Sequence, residues 1–246
     1  MSAPPVRIAL WSGPRNISTA LMRSFGARAD TWVSDEPLYA YYLAETGLPH
    51  PGREEILQKH EPDWRKVAAE LTGPVPHGRA IWYQKHMCHH LLEPIELDWL
   101  RGFRHGFLIR DPGPMLASLT DRLGPEVTAM DTGLPQEVRI LRWVREELGQ
   151  DPPVVDARDI QNHPESMLPK LCERLGIPAD PAMLRWEAGP RATDGCWGEH
   201  WYANTNRSTH FEPYRERAID LPEHLQPVLD TCQALYDELA THALKP

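Results

Sequence analysis

The chain has 246 residues, of which 26 are Lys or Arg and 35 are Asp or Glu, giving a formal net charge of −9; 41% are hydrophobic. Those figures suit one folded domain and exclude wholesale disorder. The acidic balance argues against a nucleic-acid partner, yet a local cluster of donors can oppose the global sign and hold a small anion. No apolar run approaches the roughly 18–20 residues of a membrane span. Residues 1–5 lack the basic flank and apolar core of a secretory signal. Cys88, Cys172, Cys196 and Cys232 are too scattered for a disulfide framework or a C-x-x-C pair, and read as free thiols in a reducing cytoplasm.

Residues 6–11 form a short apolar run that predicts a buried strand. A turn cluster, Ser12-Gly13-Pro14-Arg15-Asn16, follows it, and from Ile17 to about Ala27 the apolar spacing becomes helical. A second short strand is predicted over 31–34. The stretch 48–78 holds five prolines and reads as an irregular excursion around one or two short helices, in the position of a lid. Further strands are predicted at 80–85, 105–109 and 154–155, and helices at 114–123, 138–148, 163–176 and 222–244. Strands alternating with helices imply an α/β fold, a parallel sheet covered on both faces, with ligands at the carboxyl ends of its strands.

The first loop has the chemistry of an anion site. At a strand-to-helix junction several amides lack intrahelical partners and the helix dipole points its positive end outward. Gly13 permits close backbone approach, Arg15 adds a forked cation, and Ser18 and Thr19 add hydroxyls. Helix capping by Ser18 and Thr19 is the plainer alternative. The triphosphate loop G-x-x-x-x-G-K-[ST] does not fit: counting from Gly13, Ser18 and Thr19 stand where Gly and Lys are required. A second cluster sits at the end of the 105–109 strand, where Arg110 precedes Asp111-Pro112 and Ser118 follows eight residues later. An Arg at a strand end and a Ser two turns into the next helix can converge on one phosphate; a surface ion pair of Arg110 with Asp111 is the alternative.

Together, Pro14-Arg15-Asn16-Ile17-Ser18-Thr19, the Arg110-to-Ser118 spacing, and the stretch from Val154 through Asp156-Ala157-Arg158-Asp159 to Leu175-Gly176-Ile177-Pro178 resemble the sulfotransferase family, in its order. Trp11-Ser12-Gly13-Pro14-Arg15-Asn16, Asp35-Glu36-Pro37-Leu38-Tyr39, Lys85-His86 and Ala188-Gly189-Pro190 with Asp194-Gly195 and Trp197 resemble most closely a bacterial and plant group once labelled branched-chain aminotransferase-like. The resemblance implies one three-layer, P-loop-type α/β domain over 1–246 with a central, mostly parallel sheet. It implies 3′-phosphoadenosine 5′-phosphosulfate as co-substrate, a small-molecule acceptor, no metal requirement, no nucleic acid and no membrane, and a cytoplasmic protein. Residues 13–19 would cradle the 5′-phosphosulfate, and Arg110 and Ser118 would take the 3′-phosphate. Two departures stand out: the family's loop Gly is Ile17 here, and its late Arg-Lys-Gly segment has no clean counterpart, leaving Arg191 and Arg207 as stand-ins.

Sulfuryl transfer needs positioning, charge neutralisation and, for a hydroxyl acceptor, a base. By resemblance, Lys85 would stabilise the bridging oxygen. The base is open among Glu36, His86, and His89 or His90. Histidine titrates near neutrality, but the family's base position, two after the Lys, is Met87. Glu36 matches a Glu that lies near the acceptor in trehalose-type enzymes, and a carboxylate serves as base when burial raises its pKa. A zinc site on His86, His89 and His90 is the rival use of those rings, without a recognised spacing. Tyr39, Tyr41, Tyr42, Trp197, Trp201 and Tyr202 are candidates for an acceptor pocket or for core. The final amphipathic helix is compatible with a homodimer. A nucleotide-dependent small-molecule kinase, or a non-catalytic anion-binding module of the same fold, are the competing functions.

Overall fold

The computed structural model describes residues 4–216, 219 and 221–246. Its elements in chain order are β1 (Val6–Ser12), α1 (Ser18–Gly26), β2 (Thr31–Asp35), α2 (Tyr39–Thr46), α3 (Arg53–Lys59), α4 (Trp64–Thr72), β3 (Ile81–Met87), β4 (Arg104–Ile109), α5 (Pro112–Leu123), α6 (Ala129–Thr132), α7 (Leu134–Leu148), β5 (Val154–Asp156), α8 (Ala157–Asn162), α9 (Pro164–Arg174), α10 (Gly198–Trp201) and α11 (Gln226–Ala240). The five strands form one sheet in the order β2-β3-β1-β4-β5, and every pairing is parallel. The chain builds leftward from β1 and then rightward through β4. The switch point therefore falls between β1 and β4, where ligands bind in open α/β sheets.

Alternation along each strand splits the core in two. Ile8, Leu10, Ile81, Tyr83, Leu108 and Val155 pack against α1, α8 and α9 on one face. Ala9, Trp11, Trp82, Phe107, Ile109 and Val154 pack against α4, α5, α7 and α11 on the other. A third cluster, from α2, α3 and the segment around Trp197 and Tyr202, closes over the carboxyl ends of β2 and β3.

The fold class expected from sequence is the one observed, with local differences. The Pro-rich stretch holds two short helices, and they are packed in: α4 buries Trp64, Val67, Ala68 and Leu71 in the sheet core, and α3 buries Ile56 against the third cluster. The last helix is shorter than the apolar pattern suggests, because the chain leaves it to hydrogen-bond β5 through the Leu244 amide and Val154 carbonyl. Short α2 and α8 lie where no helix was expected. Among the described residues, no helix is long and apolar enough to cross a membrane.

The strand predicted to stop at Lys85 runs on to Met87, and this corrects the reading of His86 as a base. Adjacent strand residues face opposite sides, so Lys85 and His86 point apart. His86 is 1% exposed, stacks on Trp11 at 4.5 Å between ring centroids, and approaches Gln84 Oε1 at 3.3 Å. Burial, aided by His105, drives its pKa from 6.5 to about 3. Between those two values the unfolded chain holds a proton that the native ring refuses, so stability is full above pH 6.5 and declines as pH falls. Urea unfolding should give a lower free energy at pH 5 than at pH 7, and His86→Leu should lose about 2 kcal/mol less over that interval than the wild type.

Candidate active site

The first loop joins β1 to α1 at the switch point. A Cβ on Gly13 would lie 2.3 Å from the Thr132 carbonyl oxygen, so the glycine is demanded by the chain's own turn before α7. Pro14 leads into Arg15, whose φ of 61° is left-handed and costly for a residue with a side chain. Asn16 Nδ2 donates to the Leu108 carbonyl at 2.8 Å and ties the loop to β4. Ile17, at the position expected to be glycine, packs its side chain against the core beside α1. Ser18 and Thr19 are buried in the first turn, and α1 has no side-chain cap, which disfavours the plain capping reading. The positive end of the helix thus faces the loop uncapped.

The two predicted phosphate clusters meet. Arg15 Nε donates to Ser118 Oγ at 2.8 Å, and an Arg110 guanidinium N–H donates to the Arg15 carbonyl. Burial lowers the Arg15 pKa, Arg122 and Arg110 lower it further, and Asp121 opposes them. A patch of gathered guanidinium groups has formed on an acidic protein, as an anion site requires.

On the α1 side of the sheet, Asp35 and Lys85 are register partners on β2 and β3. Lys85 Nζ donates to Asp35 Oδ1 at 3.0 Å, Glu36 Oε1 at 2.6 Å and the Tyr202 hydroxyl oxygen at 2.7 Å. The Tyr202 hydroxyl lies 2.8 and 2.7 Å from the two Asp35 oxygens and 3.2 Å from Glu36 Oε1, and accepts from Trp197 Nε1 at 3.0 Å. The Gly195 amide completes the Asp35 shell at 3.1 Å. Burial alone would pull the Lys85 pKa down, but Asp35 and Glu36 together leave it above 10.5. Glu36 is raised, first by burial and then by Asp35, against the opposing pull of Lys85. Its φ of 43° is left-handed, which turns its side chain back onto Lys85 from the residue after β2. With 11% of the side chain exposed, Glu36 is the one carboxylate of the pair that opens outward.

The segment 194–202 locks this cluster. Asp194 forms a bidentate pair with Arg23 of α1 at 2.5 and 2.7 Å. Gly195 is required because a Cβ there would sit 2.1 Å from the Trp197 ring. Asp35 and Arg23 were not singled out in the sequence as site residues, and Tyr202 stood only among the pocket aromatics. The acid at the end of β2 opposite a lysine on β3 was the available signal. Burial pushes His89 to about 3 and His90 well below the imidazole range, which disfavours both as bases. His90 is instead sandwiched with Tyr39 and Tyr42 at 4.6 and 4.8 Å. No group of three or more potential metal ligands gathers among the described residues. Arg191 and Arg207 donate to acceptors of their own segment, such as Glu187 O and Asn204 Oδ1.

A sulfotransferase domain family matches residues 6–236. The chain belongs to the sulfotransferase family. Two Arabidopsis thaliana relatives, branched-chain-amino-acid aminotransferase-like proteins 2 and 1, are each 35% identical over 232 and 240 residues, or 94% and 98% of this chain. The chain spans only 41% and 42% of their lengths. Solved sulfotransferase domains share the fold: that of the Synechococcus PCC 7002 olefin synthase at TM-score 0.60 and 20% identity, covering 97% of this chain and 96% of that one, and that of the curacin biosynthetic pathway at 0.54 and 15%, covering both chains fully. A sulfotransferase from Alicyclobacillus acidocaldarius matches at 0.56 and 12%, covering 99% of this chain and 98% of that one.

Gly13→Ala should drive the loop and the Thr132 turn apart and cost about 1–3 kcal/mol, read as a lower urea midpoint. An unchanged midpoint would mean that the turn yields freely.

Proposed function

We propose that this sulfotransferase moves a sulfuryl group from 3′-phosphoadenosine 5′-phosphosulfate to a hydroxyl or amine of a small-molecule acceptor. The observation that carries the reading is the meeting of Arg15, Ser118 and Arg110 at the ends of neighbouring strands. Two phosphate groups on one nucleoside need two cationic anchors close together, and this geometry offers them. When bound, the donor supplies the sulfuryl group and a phosphate oxygen as leaving group. The loop amides of residues 13–17, the start of α1 and Arg15 would neutralise the phosphate, with Ser18 and Thr19 as hydroxyl donors.

Glu36 is the base in this reading. Burial raises its pKa above the ordinary carboxylate value, and it is the more exposed member of the carboxylate pair. Lys85 Nζ sits 2.6 Å from Glu36 and has committed all three N–H bonds. A proton arriving on Glu36 removes the negative charge that holds Lys85, which frees one ammonium N–H as charge develops on the leaving oxygen. Asp35 keeps the ammonium anchored throughout. Tyr202 restrains both carboxylates, and its bond to Glu36 lowers the Glu36 pKa.

Transfer of radiolabelled sulfuryl from the donor into a metabolite extract, with 3′-phosphoadenosine 5′-phosphate raising the melting temperature, tests the assignment. No thermal shift at millimolar bisphosphate, or a larger shift with ATP and magnesium, would overturn it. Glu36→Gln should lower kcat by roughly 10²–10⁴-fold with bisphosphate affinity retained. Activity should rise with pH as Glu36 ionises, through a midpoint above 4.5. In Tyr202→Phe that limb should move to higher pH, since a bond favouring the charged carboxylate is gone.

A further inference from the structure

We propose that Arg122 is a third guanidinium of the phosphate clamp and sets its preference for a nucleotide phosphorylated at two positions. The inference rests on the donor reading above. Residues 118 and 122 are one turn apart near the end of α5, so Ser118 and Arg122 share a helix face. That face is the one toward which the first loop leans, because Arg15 Nε holds Ser118 Oγ at 2.8 Å. Arg110 reaches the same loop from the end of β4, through the Arg15 carbonyl. Arg15 and Arg110 are thus joined at one loop, and Arg122 follows Ser118 by one turn on the same helix face. Among the charges acting on Arg15, Arg122 exerts the largest effect, ahead of Arg110, and Asp121 is the acid that opposes them.

Such a gathering of like charge opposes folding unless an anion joins it. A cation in the last turn of α5 also suits the helix dipole, which would be a purely structural use of Arg122. The two uses differ in what they do to ligand binding. Arg191 and Arg207, the stand-ins for the late basic segment expected from the family resemblance, bond acceptors of their own segment. Arg122 fills the gap from the opposite direction, out of α5.

Calorimetric titration of wild type, Arg122→Ala and Arg122→Lys with 3′-phosphoadenosine 5′-phosphate and with adenosine 5′-phosphate separates the uses. For the bisphosphate, Arg122→Ala should weaken binding about tenfold and flatten its salt dependence, with Arg122→Lys between it and wild type. For the monophosphate, all three proteins should agree within about twofold. The melting temperature of ligand-free Arg122→Ala should not fall below the wild-type value, since Arg122 is exposed and its removal relieves repulsion on Arg15. Bisphosphate binding to Arg122→Ala within twofold of wild type overturns the inference and leaves the donor reading standing. Wild type that fails to bind the bisphosphate overturns both.

Discussion

The site is organised by one buried cation. Lys85 is 1% exposed, as fully enclosed as the tryptophans around it, and an ammonium in such a place is untenable without nearby negative charge. The parallel register of β2 and β3 supplies that charge by setting Asp35 beside it, and the left-handed backbone at Glu36 adds a second carboxylate. Part of the segment that closes over the carboxyl ends of these strands encloses this group. Tyr202 and Trp197 fill the space above it, Gly195 lends an amide, and the Asp194–Arg23 pair pins the segment to α1. Removing one partner would strand a charge in the core, so the cluster acts as a unit rather than as a sum of bonds.

The same economy governs the first loop. Its shape is fixed by contacts within the chain: Gly13 under the Thr132 carbonyl, Asn16 on the Leu108 carbonyl, Arg15 on Ser118. Leu10 pairs with Lys85, so the loop that begins at Gly13 stands about 10 Å further along the strand direction from the lysine. The Arg15 loop and the Lys85 cluster are therefore two ends of one short stretch of sheet. Of the three non-glycine residues with left-handed backbone among the described residues, Arg15 and Glu36 lie one in each cluster, and His77 lies apart from both.

Much of this could be read from sequence because the informative signals are local. Apolar runs gave the strands, the turn chemistry of residues 12–16 gave the loop, and the Arg110-to-Ser118 spacing put two groups on a strand end and the helix after it. What failed was of two kinds. A strand two residues longer than its apolar run places His86 in the sheet rather than in the loop after it, on the face opposite Lys85. Contacts between distant segments left no local mark: nothing in the order Trp197 to Tyr202 says that its last hydroxyl meets Asp35, 167 residues away.

The central claim is that burial, aided by Asp35 and against the pull of Lys85, leaves Glu36 as a carboxylate of raised proton affinity at the mouth of the site. Carboxyl ¹³C NMR titration of the full chain, with the Glu36 resonance assigned by its loss in Glu36→Gln, measures this directly. The account predicts a Glu36 midpoint above the ordinary 4.5. A midpoint at or below that value would contradict it and return the search for the base to other residues.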